Sequence, residues 1–349
     1  MAFTSILSIS CIDQIELDFE GGGDRVVIFG NINTTELEQA MEIYRITAIQ
    51  NRFLPISGAT VFIIDDLGNR GRMFGDNEGI YRLVPNGIEI VPGRSYYLDI
   101  KLIDGAKYQT KPQRVPLVKA TEDLNRRYRE TASLTDDGVT LEKIIFEILG
   151  TTSIENPQEE DFYIRWQVVE DYVLRPTDFP DPLSFSETPP EHYYRKIMNE
   201  QRILTFSSEG TTINTLGTKI VAFKDFDDSF LDKHFFTTSV HSMTREAYLF
   251  WNEVNTLTNA SGSIFDVPPG KIRGNIVNVE DQNEEVLGFV EFSNTTWSRF
   301  VTFIDDGPFL PPETCKFSPF KEDDEYPLYC LECLEREGCS LIRPAMFDE

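Results

Sequence analysis

From Val26 onward, turn-forming residues divide the chain into short segments of strand length, and this spacing restricts the fold to β-rich classes. Apolar, β-branched and aromatic residues fill the segments, while glycine, proline, asparagine and aspartate separate them. The run SGATVFIIDDLGNRG is typical, because its β-branched half leads directly into the turn residues of a hairpin. The pattern predicts a β-sandwich of about 100 residues in the first part of the chain.

The part of the chain beyond residue 133 also carries strand patterns. GVTLEKIIFEILG and DFYIRWQVVEDYVLRP alternate strongly enough to predict paired strands. The alternation in the second run defines two faces, Tyr163, Arg165 and Gln167 on one and Ile164, Trp166 and Val168 on the other. The proline-rich run PTDFPDPLSFSETPPEH predicts an irregular surface loop that serves as a lid or a contact surface.

One segment, SMTREAYLFWNEVNTLTN, has the period of an α-helix. Tyr248, Trp251, Val254 and Leu257 fall on one stripe, which is typical of a helix packed against a core. Ser242 is placed to cap the first turn. The sequence therefore predicts a mainly β protein with one clear helix.

The length of 349 residues is enough for two ordinary domains. Residues 119–133 are highly charged and nearly free of large apolar side chains, which predicts a linker between them. The predicted layout is a truncated lipoprotein signal with lipidated cysteine and acidic tether over 1–23, a β-sandwich over 24–118, the linker over 119–133, a second β-rich domain over 134–314, and a cysteine-rich segment over 315–349.

The charge of the chain limits its partners. With 32 Lys and Arg against 58 Asp and Glu, the formal net charge is -26, which repels nucleic-acid phosphates. No apolar run reaches the roughly 18 residues that a spanning helix requires. We therefore expect no nucleic-acid partner, and any membrane association must come from an anchor or from a protein partner.

The first cysteine lies at the boundary between an apolar and an acidic stretch. AFTSILSIS precedes Cys11 and fits the short apolar part of a lipoprotein signal, although a basic stretch before it is missing. Cleavage there would leave Cys11 as an acylated N-terminus. The alternative is a first strand with a buried thiol at Cys11. The acidic residues that follow, with three glycines, predict a solvated tether; they are Asp13, Glu16, Asp18 and Glu20.

The other four cysteines lie near the end of the chain, which predicts that they form one structural unit. They are Cys315, Cys330, Cys333 and Cys339. Structural zinc sites usually use two close pairs of cysteines, and only Cys330 and Cys333 form such a pair. In an oxidising compartment two disulfides are favoured over zinc. All three pairings stay open, and we favour those in which Cys330 and Cys333 each bond to an outer cysteine.

Other candidate chemistry is weak. Two acidic clusters are candidate calcium-binding sites, which we keep as a minor hypothesis. The first consists of Asp225, Asp227, Asp228 and Asp232, and the second of Asp76 and Glu78. Neither has the glycine and final glutamate of an EF-hand loop. The three histidines are scattered along the chain, which predicts a surface or packing role for each of them. They are His192, His234 and His241. No nucleophile-elbow, P-loop or HExxH motif occurs. We expect no enzyme activity, no cofactor and no metal site, and keep glycoside cleavage by paired carboxylates as a third hypothesis.

An ordered set of segments carries a resemblance: SGATVFIIDDLGN, GIYRL, GRSYYLDIKLIDGAKYQT, YIRW, REAYLFW, IFDVPPGKIRGNI, EVLGFVEFS and CLECLEREGCSLIRPAMF. In this order and spacing, the chain resembles a lipoprotein family of the Bacteroidota that is catalogued as a domain of unknown function. Members of that family are usually encoded beside SusC-like, TonB-dependent transporters. The resemblance covers nearly all of the chain from Cys11 onward.

The resemblance implies an outer-membrane lipoprotein that faces the cell exterior, with an N-terminal sandwich like those of immunoglobulin or fibronectin domains. It also implies that acidic residues behind Cys11 direct surface display. The function expected first is a noncatalytic accessory subunit of an outer-membrane β-barrel protein, either a SusC-like, TonB-dependent transporter or a related assembly or secretion machine. The bilayer is expected to be contacted only through acylated Cys11. The alternative is a free-standing binder of glycans or peptides, for which four tyrosines are candidate stacking residues, Tyr96, Tyr97, Tyr193 and Tyr194.

Overall fold

The computed structural model describes residues 24–35, 39–47, 53–84, 87–134, 140–174, 191–199, 202–259, 272, 274–308, 310–311 and 338–348. The strands are, in chain order, β1 Arg25–Asn33, β2 Ala40–Ile46, β3 Phe53–Pro55, β4 Thr60–Asp65, β5 Arg70–Gly75, β6 Ile80–Leu83, β7 Ser95–Lys101, β8 Lys107–Thr110, β9 Gln113–Arg114, β10 Lys119–Leu134, β11 Thr140–Glu155, β12 Tyr163–Leu174, β13 His192–Ile197, β14 Leu204–Ser207, β15 Thr215–Asp225, β16 His234–Met243, β17 Ile276–Asn278, β18 Val290–Thr302 and β19 Cys339–Ser340. One α-helix, α1, covers Arg245–Asn259. The prediction of a mainly β protein with one clear helix is confirmed.

The strands form one large sheet and one small sheet. The large sheet follows the order β17-β8-β7-β4-β5-β6-β2-β1-β18-β16-β12-β13-β19, with β3 beside β2, β9 beside β7 and β14 beside β12. The small sheet has the order β10-β11-β15. It covers one face of β12, β16 and β18, and the core between them is lined by Phe146, Trp166 and Phe236. These aromatic rings are almost completely buried, so they anchor the two layers.

The strands of the N-terminal part draw on distant sequence. β1 pairs antiparallel with β2 on one side and parallel with β18 on the other, and β17 pairs with β8. The core around these strands therefore contains Ile276, Val286, Val290 and Phe292 from the predicted second domain. An immunoglobulin- or fibronectin-like arrangement of the N-terminal strands stays a prediction.

The predicted linker at 119–133 is wrong, because these residues belong to β10. This strand is hydrogen-bonded to β11 along its whole length. Ala120 is buried in the inter-sheet core, and Leu124 and Tyr128 pack against that core. The charged residues that suggested a linker alternate with them, and Arg127 and Arg129 lie half exposed beside Glu147. A charged outer face thus masks a strand whose inner face carries apolar side chains, together with Glu122, which is buried and accepts a hydrogen bond from Trp166 Nε1 at 3.0 Å.

The two runs predicted as paired strands are strands, but they lie in different sheets. β11 lies between β10 and β15, whereas β12 pairs with β13, β14 and β16. The predicted inner face of β12 is confirmed, because Ile164, Trp166 and Val168 lie in the inter-sheet core. Alternation therefore predicts which side chains are buried but not which strand is the neighbour.

The predicted cap of the helix is wrong by two residues. Ser242 belongs to β16, which continues to Met243 because Met243 pairs with Tyr163. Thr244 starts the helix instead, and its Oγ1 accepts a hydrogen bond from the amide of Ala247 at 3.2 Å. Three residues of the predicted apolar stripe, Tyr248, Trp251 and Val254, pack in one cluster, whereas the fourth, Leu257, is 42% exposed. Among the described residues, no helix has the length and apolar character needed to cross a membrane.

Candidate functional site

One face of β12, β16 and β18 carries polar side chains and is turned away from the inter-sheet core. We call it the polar face, and it consists of Arg165, Gln167, Asp171, Thr237, Ser239, His241, Thr295, Trp297 and Arg299. The strand register arranges these side chains in rows across the sheet. One row is Arg165, His241 and Thr295, and the next is Gln167, Ser239 and Trp297. Neighbouring rows on this face are two residues apart along each strand, and they therefore lie about 7 Å apart.

Structural elements border the polar face at both ends. At one end Trp251 of α1 covers Arg165, with the guanidinium 4.3 Å from the ring centroid. At the other end Phe347, in the short turn 345–348, packs edge-on against Phe235 of β16 at 4.9 Å between ring centroids. The middle rows therefore lie between the helix and this turn.

A buried ion pair fixes the end of the face beneath α1. Glu291 lies on β18 with its side chain 1% exposed, and Arg165 Nη2 lies 3.6 Å from its Oε1. The same carboxylate accepts hydrogen bonds from Asn31 Nδ2 at 3.0 Å and from Trp251 Nε1 at 2.6 Å. Because four elements meet on one carboxylate, β1, β12, β18 and α1 are held in fixed positions.

Several buried polar atoms on this face have no hydrogen-bond partner, namely Arg165 Nε, Asp171 Oδ2 and His241 Nε2. Their residues are at least nine-tenths buried. An unmade hydrogen bond on a buried polar group costs about 1–3 kcal/mol. The face thus contains buried donors and an acceptor that the described protein does not satisfy.

His241 is neutral in this setting. Burial and the neighbouring charge of Arg165 hold the pKa of His241 well below its usual value. Its Nδ1 lies 2.8 Å from Thr295 Oγ1 and 3.5 Å from Asn31 Nδ2, both of which can donate to it. This arrangement places the ring proton on Nε2, the atom without a partner. His241 therefore offers a hydrogen-bond donor rather than a charge.

Asp171 lies at the opposite end of the face. Burial raises the pKa of its carboxyl, against the opposing effect of the Arg195 and Arg299 charges. The nearest ion-pair atom is Arg195 Nε, 3.5 Å from Asp171 Oδ1. Two arginines thus face a carboxyl group whose second oxygen has no partner.

Trp297 lies at the β18 side of the face and is 45% exposed. Among the described residues, β1 pairs with β18 only as far as Ser293, so β18 is paired at Trp297 with β16 alone. The guanidinium of Arg299 lies 5.1 Å from the Trp297 ring centroid, and its Nε donates to Thr237 Oγ1 at 2.9 Å. An exposed indole beside an oriented arginine can stack on a planar or sugar-like group and donate hydrogen bonds to it.

A second charged cluster lies inside the inter-sheet core and has a structural role. Glu170 Oε2 is 2.9 Å from Lys224 Nζ and 3.0 Å from His234 Nε2. Although burial raises the pKa of Glu170, the His234 hydrogen bond and the Lys224 charge lower it to about 2. Burial and the Lys224 charge lower the pKa of His234 to about 4, so a neutral ring donates to an ionised carboxylate. His234 is completely buried, so this cluster lacks access to a ligand.

The clefts of the described structure lie elsewhere, around the loop 156–162. One has a volume of about 590 Å³ and is lined by Glu159, Phe162, Ser208 and Ile213 among others. A neighbouring cleft contains Tyr163 and Arg245, which are already joined to Glu209 by hydrogen bonds of 2.6 and 2.8 Å. We favour the polar face as the site, because it carries an exposed tryptophan beside an oriented arginine.

The residues singled out in the sequence are distributed as follows. Cys11 and the acidic residues Asp13, Glu16, Asp18 and Glu20 lie outside the described residues, as do Cys315, Cys330, Cys333 and most of the proline-rich run. Cys339 lies in β19 and is disulfide-bonded. The three histidines do not form a site, because His192 lies in β13 while His234 and His241 lie on opposite faces of β16.

The candidate calcium ligands make local contacts. Asp225 pairs with Lys143 at 3.0 Å, and Asp227 Oδ1 accepts from the amide of Ser229 at 3.0 Å. Asp76 Oδ1 accepts from the amides of Glu78 and Ile80 and so closes a turn. Within the described ranges, no three His, Cys, Asp or Glu side chains are grouped to hold a metal ion.

The candidate stacking tyrosines are mostly packing residues. Tyr96, Tyr193 and Tyr194 are each at least nine-tenths buried, so their rings are not available to a glycan. The stacking residue that the sequence analysis missed is Trp297. The signal for it was the alternation of Thr295, Trp297 and Arg299, which places all three on one face of a strand.

Comparison with known protein families identifies the chain. A family model described as "Domain of unknown function (DUF4249)" matches residues 12–299. The chain belongs to this family. No curated protein matches the chain. The DUF4249 match extends through Arg299, so the whole polar face lies within the family region, whereas Cys339 lies outside it.

Proposed function

We propose that the chain is a noncatalytic, surface-exposed outer-membrane lipoprotein that acts as an accessory subunit of an outer-membrane β-barrel protein. The barrel would be a SusC-like, TonB-dependent transporter or a related assembly or secretion machine. The resemblance to Bacteroidota lipoproteins supports the compartment, the anchor at Cys11 and the class of partner. The polar face supports a binding role, and it is the surface with which we expect the protein to engage its partner.

The observation that carries the binding role is the exposed indole of Trp297 beside the guanidinium of Arg299. Binding hot spots are enriched in tryptophan and arginine, and they are surrounded by groups that become desolvated in the complex. Trp297 and Arg299 fit this description, whereas Arg165 and His241 lie in the next row, where Trp251 covers the guanidinium of Arg165. Because Arg299 Nε already donates to Thr237 Oγ1 before binding, little conformational entropy is lost on association.

The noncatalytic part of the proposal follows from the character of the same groups. His241 and Thr295 form the only histidine–hydroxyl contact on the polar face, and both side chains are at least nine-tenths buried. A nucleophile must reach the reacting atom of its substrate, and neither group is open to one. We therefore assign these two buried groups to holding β16 against β18, and we assign recognition to Trp297, which is exposed.

Purification from native membranes in a mild detergent tests the proposal. We expect the wild-type protein to retain a large β-barrel partner and the Trp297→Ala variant to retain at least about tenfold less, as for a binding hot spot. Phe74→Ala is the matched control, because Phe74 is 52% exposed and has the Arg72 guanidinium 5.0 Å from its ring centroid. A wild-type protein that is isolated alone in every detergent would refute docking. Equal retention by both variants would exclude the polar face as the contact.

A free-standing binder of glycans or peptides is the second candidate. It is favoured by the row of Gln167, Ser239 and Trp297, which runs across the sheet. This row could hydrogen-bond to an extended chain of sugars or peptide units. Binding of the isolated protein to a glycan array, with loss in Trp297→Ala, would favour this role over docking.

A further inference from the structure

The second half of β18 has an open side. β1 pairs with β18 only from Val290 to Ser293, whereas β16 pairs with it from Asn294 to Thr302. The first six residues of β18 are buried, and the next six are half-buried or exposed. In the part of the chain that the structure describes, β18 therefore has a neighbouring strand on one side only after Ser293.

Every second residue of β18 points its amide and carbonyl at the open side, because main-chain groups alternate between the two sides of a strand. Thr295 identifies these residues, since its amide donates to Thr34 Oγ1 at 3.0 Å and its carbonyl accepts from the same hydroxyl at 3.4 Å. Thr34 directly follows β1 and so lies on that side. The same alternation turns the main chain of Trp297, Arg299 and Val301 to the open side, where no described main-chain group bonds to them.

β10 contacts β18 without filling its open side. Thr296 Oγ1 donates to the carbonyl of Ala120, and Ser298 Oγ donates to the carbonyl of Glu122 at 2.7 Å. Thr296 and Ser298 have their side chains on the face of β18 opposite to Trp297. β10 is therefore held by side chains at the inner face of β18, and it belongs to the small sheet.

The open side of β18 lacks the usual protection of an edge strand. Such strands are protected against pairing by charges, prolines or bulges. The run from Trp297 to Thr302, WSRFVT, has one charged residue and no proline, and its register with β16 is regular. By contrast, the edge strand β15 carries Lys219, Lys224 and Asp225, and its register with β11 shifts twice. An unprotected edge of this kind is suited to pairing with another extended chain.

The charge of the chain restricts which extended segment can pair there. The formal net charge is -26, so a second copy of the chain or an acidic segment is repelled. The only charged side chain in the open run is the cation Arg299. A neutral or basic segment of another protein is compatible with the field of the whole chain.

We propose that a neutral or basic extended segment of the partner protein adds to β18 as a strand beside Trp297, Arg299 and Val301. This inference rests on the proposed function for the existence of the partner. An added strand lies about 4.8 Å from β18, so every second side chain extends a row of the polar face next to Trp297 or Arg299. Main-chain hydrogen bonds supply affinity, and these two side chains select the sequence.

Hydrogen exchange at single-residue resolution, measured by mass spectrometry on the native complex and on the protein alone, tests the pairing. We expect the amides of Trp297, Arg299 and Val301 to exchange at least about tenfold more slowly in the complex. The amides of Ser298 and Phe300 face β16 and should keep their rates. The amides of β15 are the matched control, because β15 is also an edge strand, and their rates should not change.

A pair of variants tests the main chain of β18 separately from its side chains. Arg299→Ala and Arg299→Pro both remove the guanidinium, and only proline also removes the amide, which edge strands tolerate where it has no partner. We expect Arg299→Pro to retain at least about fivefold less partner than Arg299→Ala, the effect of one lost hydrogen bond. Chemical denaturation checks that both variants fold; if Arg299→Pro does not, the exchange measurement decides alone.

The outcomes separate this inference from the proposed function. A partner that is retained while the three amides keep their rates would overturn strand addition and leave docking in place. A protein isolated without any partner would refute docking and strand addition together. Protection of the three amides in the protein alone, when its concentration is raised, would assign the open side to a second copy and overturn the inference.

Discussion

Replacing Gly288 with alanine is expected to lower the free energy of unfolding by about 4 kcal/mol or more, a loss seen only when a specific feature of a fold is broken. Gly288 has a φ of +92°, which disfavours any residue with a Cβ, and a Cβ there would lie 2.2 Å from the carbonyl oxygen of Ile28. The backbone around it joins β1 to the segment before β18, through hydrogen bonds of 2.9 Å between Ile28 and Leu287 and between Leu287 and Val26. The substitution must push these segments apart.

Gly105→Ala is the control for this experiment. Gly105 has a similar φ of +99°, but nothing lies within 4 Å of a Cβ at that position. Its substitution therefore reports the conformational cost alone, about 1–2 kcal/mol. Chemical denaturation of both variants measures the difference. If the two substitutions cost the same, the close contact between β1 and the segment before β18 would be excluded as a determinant of stability.

Replacing Glu291 with alanine is expected to destabilise the protein by about 3–5 kcal/mol, because it leaves the guanidinium of Arg165 buried without its counter-charge. It also removes the acceptor for Asn31 Nδ2 and Trp251 Nε1. Three elements that meet on this carboxylate would then lose their common partner. The loss should be visible as a lower midpoint of denaturation and as weaker packing of α1, measured by proteolysis within the helix.

Glu280→Ala provides the comparison for Glu291→Ala. Glu280 also pairs with a cation, Lys107 at 3.0 Å, but its side chain is 60% exposed. An exposed pair of this kind contributes about 0–1 kcal/mol. If Glu291→Ala cost no more than Glu280→Ala, the buried network would not hold the end of the polar face in place.

The sequence predicts where strands lie and which side chains are buried better than it predicts which strands pair with each other. The alternation of Ile164, Trp166 and Val168 was sufficient to assign the inner face of β12, since a period of two is a local property. The parallel pairing of β1 with β18 joins residues about 260 positions apart, and no local pattern specifies it. The linker prediction failed for a related reason, because composition averages over the two faces of β10.

The polar face shows a second limit of pattern reading. Thr237, Ser239 and His241 lie on one side of β16, and Phe236, Thr238 and Val240 lie on the other, so polar residues occur on both sides. In the structure all ten residues of β16 are buried. No local pattern in this stretch indicates that its polar groups are buried with unmet hydrogen bonds.

The proposed function depends on the protein being held at a membrane by its first cysteine, Cys11. Intact-mass analysis of the protein isolated from its native membranes tests this most directly. We predict a chain that starts at Cys11 and carries the added mass of fatty acyl groups. A chain that retains an unmodified Met1, or one with a free thiol at Cys11, would contradict it.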